Sequence, residues 1–208
     1  MTMTQSPSVD LNVIKRGTIK DLSNMNLSGM DLSGAHLAEV NLSGANLSGA
    51  NLSGANLQGS QLRANLRGAD LSGANLQRAD LRNADLRGAI LINAEVQEAS
   101  FIGAFLTGAT CGNIDLSGID FRGADLRGVN LSQGILCQAD LRNTNLSGAD
   151  LSQADLEEAN LSGAILRGTN LERANLLCAI VEQTVFLGVI LEGACLEGTA
   201  LGSDQLNT

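Results

Sequence analysis

Few residues of this chain could do chemistry, and their spacing scatters them. There is one histidine, His36, with four cysteines and twenty-two carboxylates. Acid–base or nucleophilic catalysis needs such groups to converge in a cavity that tunes their pKa values. His36 stands alone in Ala35-His36-Leu37, where comparable stretches carry Asn or Asp, and reads as an incidental outward residue. Cys111, Cys137, Cys178 and Cys195 form no CxxC pair and have no histidine beside them. A structural metal would need clustered Cys and His ligands, so these thiols are expected to be packing or surface residues. The aspartates recur at equal steps, not as an acid–base pair. The glycines recur with them and do not open a helix as a phosphate-binding loop would. The expectation is a protein with no catalytic residue, no cofactor and no metal.

Composition narrows the rest. Hydrophobic residues make up 44% of the 208, yet aromatics are only 2%, with no Trp and no Tyr. Ordinary cores use aromatics to fill irregular space, so a narrow interior built from small, repeated side chains is expected. The net charge of −9 argues against direct nucleic-acid binding, which needs clustered Lys and Arg against phosphate. No apolar run approaches the roughly 20 residues of a membrane span. Residues 1–17 lack the hydrophobic core of a signal peptide. A cytoplasmic protein without a disulfide framework is expected.

What positions every side chain is a repeat. Asn41-Leu42-Ser43-Gly44-Ala45-Asn46-Leu47-Ser48-Gly49-Ala50 states a five-residue unit, Ala-(Asn/Asp)-Leu-x-x. Its central leucine recurs from Leu22 to Leu62, resumes at Leu66, and continues every fifth residue to Leu201. Val96, Phe101, Cys111, Phe121, Val181 and Phe186 substitute for it. Period five fits neither a 3.6-residue helix nor a flat strand of period two. A chain that turns a corner every five residues places each leucine, and each alanine two before it, inside. Four sides then close a square coil of 20 residues, and coils stacked about 4.8 Å apart give roughly nine coils. Phe101 and Phe121, one coil apart, are expected to stack within the core.

These units resemble the pentapeptide-repeat family, with its A(D/N)LXX consensus, over about residues 20–203. The Leu-rich, Ser-Gly-rich form is similar to members abundant in cyanobacteria. The resemblance implies an all-β fold, a right-handed quadrilateral parallel β-helix. Two departures stand out. The step from Leu62 to Leu66 is four residues, which predicts a locally tightened corner. Residues 1–19 lie outside the pattern; Ser6-Pro7 reads as a helix start and Gly17 as its stop, predicting a short capping helix over about 7–16. The expected organisation is an N-terminal segment with that helix (1–19), a β-helix (20–203) and a C-terminal tail (204–208).

Function must then lie in the outward residues that flank each centre. Two faces carry Asp–Arg neighbours and read as nearly balanced. The other two are acidic, with Asp150, Glu172 and Glu192 on one and Asp155, Glu157 and Glu197 on the other. Outward apolar residues gather near the C-terminal end: Ile165, Leu177, Ile180, Val185, Leu187 and Ile190. Such a patch on a polar solenoid marks a candidate interface, either for a partner or for a homodimer through the C-terminal coils. Ile90, Ile92, Ile102 and Phe105 spread over three faces and read as tolerated variation. The leading expectation is a non-catalytic interaction scaffold or regulator that presents a rigid face or end to a protein partner. The alternative, by resemblance to relatives implicated in quinolone resistance, is a DNA-mimicking inhibitor of gyrase.

Overall fold

The computed structural model describes residues 10–201. Over residues 21–195 the chain winds as one four-sided coil, with parallel bridges linking units one full turn apart at every step but one. The first face is the column Asp21, Asn41, Gln61, Asp80 and onward to Ile180, and the second runs from Asn26 to Val185. The third runs from Asp31 to Ile190 and the fourth from His36 to Cys195.

Hydrogen-bond accounting explains why this sequence takes this path. Buried or half-buried amides must find partners, and a regular unit satisfies all five. In the unit around Leu42, the Leu42 amide donates to Gln61 O (2.9 Å) and the Gly44 amide to Arg63 O (2.8 Å), both in the next coil. The Asn41 amide donates back to Lys20 O (2.9 Å), and the Ala45 amide closes a turn onto Leu42 O (3.0 Å). The fifth amide, that of Ser43, donates to the Asn41 side chain at 3.1 Å. This last bond gives the recurrent Asn or Asp its reason: its side chain accepts the one amide that neither neighbouring coil can reach.

Apart from the four-residue step after Leu62, each corner is a turn whose third residue has positive φ, the type II pattern that favours glycine. Glycines such as Gly54 and Gly123 take most corners, and fifteen non-glycine residues take this conformation elsewhere, including Asn24, Gln153 and Cys178. Inside, the leucines and alanines are sequestered almost completely along the length of the rod. Ser60, Thr144 and Thr169 replace alanine without leaving a hydroxyl unpaired. Ser60 donates to Leu57 O and Thr144 to Leu141 O, both at 2.7 Å, while Thr169 reaches Leu146 O at 2.8 Å.

The open N-terminal end is covered by α1 (Leu11–Lys15), shorter than the 7–16 expected from sequence. Its N-cap is Asp10, whose side chain accepts the Asn12 amide at 2.9 Å; Ser6 and Pro7 lie outside the described residues. Ile14 plugs into the core. The His36 amide donates to Lys15 O at 2.8 Å, joining the helix end to the first coil. Gly17 must be glycine here: φ is +66°, and a Cβ would stand 1.7 Å from His36 O.

The four-residue step is a tightened corner. The Ala64 amide folds onto Leu62 O at 2.7 Å, two residues back instead of three. The ladder absorbs the deletion over one full coil, pairing Asn46 with Asn65, Asn51 with Asp70, Asn56 with Asn75 and Gln61 with Asp80, each nineteen residues on, and resumes a twenty-residue step at Asn65–Asp85.

A second irregularity has no sequence omission behind it. Among the described residues the bridge columns break once, between Glu95 and Asp115 on the fourth face. The Asn93, Val96, Glu98 and Asp115 amides there lack the inter-coil bonds that their equivalents make. The break sits where the interior is repacked. Ile114 and Ile119 replace alanine, and Phe101 stacks on Phe121 with ring centroids 5.1 Å apart. Gly134, one coil beyond Ile114, gives back part of that volume on the far side only.

Candidate interaction surface

Because the leucines and alanines fill the interior, the groups that could act on another molecule stand on the four outer faces. Among the described residues no three His, Cys, Asp or Glu side chains gather as a metal site would require. Burial pushes the Cys111 thiol up to about 12. Partial burial, then Asp155 beside it, raises Cys137 to about 11. Neither is a thiolate at neutral pH. Cys178 and Cys195 are free and exposed.

The recurring charged device is Asp-Leu-Arg. The leucine points inward, so the flanking Asp and Arg emerge side by side. Arg82 Nε and Nη2 donate to the two carboxylate oxygens of Asp80, each at 2.7 Å. Arg87–Asp85, Arg127–Asp125 and Arg142–Asp140 repeat the arrangement, as does Arg122–Asp120 with Phe121 inward in place of leucine. Hydrogen bonds from the paired arginine hold Asp80, Asp85, Asp125 and Asp140 below the usual carboxylate range. The arginines are about half exposed, so each pair contributes less than about 1 kcal/mol to stability. What the device does is orient the guanidinium.

The charge distribution differs from the sequence expectation in one respect. On the first face Arg63, Arg82, Arg122 and Arg142 stand against Asp21, Asp80, Asp120, Asp140 and Glu182, nearly in balance. The second face is net positive, not balanced: Arg67, Arg87, Arg127 and Arg167 meet only Asp85 and Asp125. Arg67 reaches Asp85 at 3.8 Å while Arg87 holds the same carboxylate, and Arg167 stands beside Ile165 where Arg87 and Arg127 have Asp85 and Asp125. The third face carries Asp31, Asp70, Asp150, Glu172 and Glu192 against Arg173. The fourth, opposite the second across the square, is the most acidic. Its Asp115, Asp155, Glu157 and Glu197 are joined by Glu39, Glu95, Glu98 and Glu158, against Arg78 alone. Glu39, Glu98 and Glu158 occupy corner positions, which a reading confined to the residues beside each centre leaves out.

The six apolar residues expected at an interface do not lie on one plane. Ile165, Val185 and Leu187 are on the second face, Ile180 on the first, Ile190 on the third and Leu177 on the fourth. All but the half-buried Leu177 are exposed. The last coil thus places Ile180, Val185, Ile190 and Cys195 at the four positions that Asn and Asp hold elsewhere. Val189, Leu191, Ala194 and Leu196 are only partly covered within it.

Comparison with known proteins places this architecture. The family model for pentapeptide repeats matches in eight copies, over residues 21–59, 64–101, 104–143, 124–163 and 164–201. No curated protein sequence matches the chain. The structure of HetL, a pentapeptide repeat protein involved in heterocyst differentiation regulation from the cyanobacterium Nostoc sp. strain PCC 7120, is similar. It is 36% identical, 89% of each chain is covered, and the TM-score is 0.50. A pentapeptide repeat protein of the Arabidopsis thaliana thylakoid lumen is 35% identical, over 50% of this chain and 73% of its own, with a TM-score of 0.49. QnrB1, a plasmid-mediated fluoroquinolone resistance protein, shares the fold alone: 22% identity over 90% of this chain and 92% of its own, TM-score 0.50. The chain belongs to the pentapeptide repeat family, and its fold is that family's right-handed quadrilateral parallel β-helix.

Proposed function

We propose that this protein is a non-catalytic scaffold or regulator that binds a protein partner through a rigid face or end of the rod. One observation carries the reading: the interior is packed mainly with leucine and alanine, so the charged side chains act only outward, at fixed spacing, on a surface that cannot enclose a substrate. The exposed free thiols of Cys178 and Cys195 suit a reducing compartment, in line with a cytoplasmic location. Among the described residues no helix is long and apolar enough to cross a membrane. The test is affinity capture from the source organism's lysate at low and at high salt. A specific protein partner is expected, and none at either salt counts against the reading.

The apolar ring of the last coil supports a homodimer through the C-terminal coils. A solution mass twice the monomer's 21.5 kDa by light scattering is the expected result, with Val185→Glu returning the monomer. A monomer at high concentration removes the dimer.

A second reading, inhibition of a type II topoisomerase by DNA mimicry, draws on the acidic third and fourth faces. Ile135 and Leu177 interrupt the fourth face between its carboxylates, where a phosphate backbone would continue its charge, and this favours the first reading. A gyrase supercoiling assay separates the two: inhibition at stoichiometric protein would support mimicry, and none at large excess would end it.

A further inference from the structure

We infer that the second face is the partner-binding side of the rod and that it takes an acidic protein surface bearing aliphatic or aromatic side chains. The inference rests on the reading of this protein as a protein-binding rod and assigns its working face. The second face combines two properties that the other three do not share. It is net positive on a chain of net charge −9. It also carries Phe105 and Ile165 exposed beside Arg87 and Arg167, with Val185 and Leu187 exposed one coil beyond Arg167. Protein interfaces are enriched in arginine and aromatic residues and depleted in Lys, Glu and Asp, and the described part of this face has neither Lys nor Glu.

Its arginines are also prepared for binding. Arg87 is gripped by Asp85 and lies over the Phe105 ring, 5.9 Å from the centroid. Arg127 is held by Asp125. A guanidinium already oriented loses less freedom when it meets a carboxylate than a free side chain does. Arg167, next to Ile165, has no ion-pair partner among the described residues. Along the axis Arg67 and Arg87 stand one coil apart and Arg127 and Arg167 follow at two-coil steps, so the spacing is about 5–10 Å at the usual inter-strand distance. That pitch suits separate carboxylates on a protein. It is too sparse for the charge of a nucleic-acid backbone, about one phosphate per 1.7 Å of duplex. The acidic fourth face, opposite, repels the same partner, so charge selects one orientation of docking.

The experiment places a photo-crosslinking amino acid on each side of the mid-rod: Ser162 for the first face, Ser147 for the second, Ser152 for the third and Gln138 for the fourth. The full-length protein is expressed in its source cells, and the crosslinked peptides are identified by mass spectrometry. Crosslinks should come predominantly from Ser147, to protein segments rich in Asp or Glu with apolar neighbours. Arg127→Glu with Arg167→Glu should reduce their yield at least tenfold. Arg127→Gln with Arg167→Gln should reduce it too, guarding against misfolding by the charge reversal. Crosslinks mainly from another face, to nucleic acid, or to a second copy of the chain would overturn the assignment, as would crosslinks from Ser147 that survive both arginine pairs. Protein crosslinks from another face would leave the protein-binding reading standing; none from any face would end both.

Discussion

At the scale of the residue, two positions of each unit are set by backbone need. The Asn or Asp before the centre accepts the amide two residues on, as Asn130 does from Ser132 at 3.0 Å while also accepting the Ser132 hydroxyl at 2.7 Å. Asn130→Ala leaves that amide to solvent and should cost about 1 kcal/mol in denaturant unfolding, the usual worth of one such bond. The corner residue sits in left-handed backbone, which costs a non-glycine residue roughly 1–2 kcal/mol, against about 0.5–1 kcal/mol for the extra freedom glycine loses. The strain outweighs the entropy. Gln153, with φ of +57°, should therefore gain about 0.5–1 kcal/mol of stability on Gln153→Gly; a loss would show that its side chain makes a contact worth more than the strain.

At the scale of the element, the rod is a ladder whose rungs can be tested one by one. The interrupted rung between Glu95 and Asp115 should be its weakest internal place, because solenoid stability is summed from neighbouring interfaces. Hydrogen exchange should find the Val96 and Asp115 amides faster than those of Leu76 and Asp155 on the same face. Ile114→Ala, which removes the oversized side chain beside the break, should slow Val96 exchange. No change would locate the cause elsewhere in the Phe101–Phe121 repacking. At the N-terminal end, Gly17→Ala drives a methyl group into His36 O and forces strained φ. It should lift α1 from the first coil and cost more than about 1 kcal/mol, read as a lower melting temperature.

At the scale of the whole molecule, stability depends on pH through the many oriented carboxylates. The hydroxyl and amide of Ser33, with Lys15 behind them, hold Asp31 down at about 2. The Asp-Leu-Arg aspartates are lowered by their guanidinium partners. A carboxyl whose pKa falls on folding contributes stability that is fully present above its unfolded value, near 4, and lost as pH falls through the folded value. Melting temperature should thus stay level from pH 8 to 5 and decline below about pH 4. A level profile down to pH 2 would mean that these pairs form equally in the unfolded chain.

The repeat alone determined the four-sided path, the buried leucine and alanine columns, the Phe101–Phe121 stack and the tightened corner after Leu62. Each follows from counting in fives, since a strictly periodic chain has one way to hide a periodic apolar set. Sequence also told which side chains face outward, and hence that the surface carries whatever function there is. It did not tell why Asn or Asp precedes each leucine, because the amide it satisfies is identifiable only once the coils are stacked. It placed the helix start at Ser6-Pro7, whereas the described helix begins after Asp10, a local choice made by one side-chain hydrogen bond. Counting in the sequence already put the charges on their faces, but only the tertiary structure decided how they pair. Arg87 reaches Phe105, eighteen residues away, and Arg63 reaches Asp80, seventeen away, across coils. The second and fourth faces differ in sign because winding a linear pattern into a square places residues from distant turns side by side, and electrostatics acts on that adjacency.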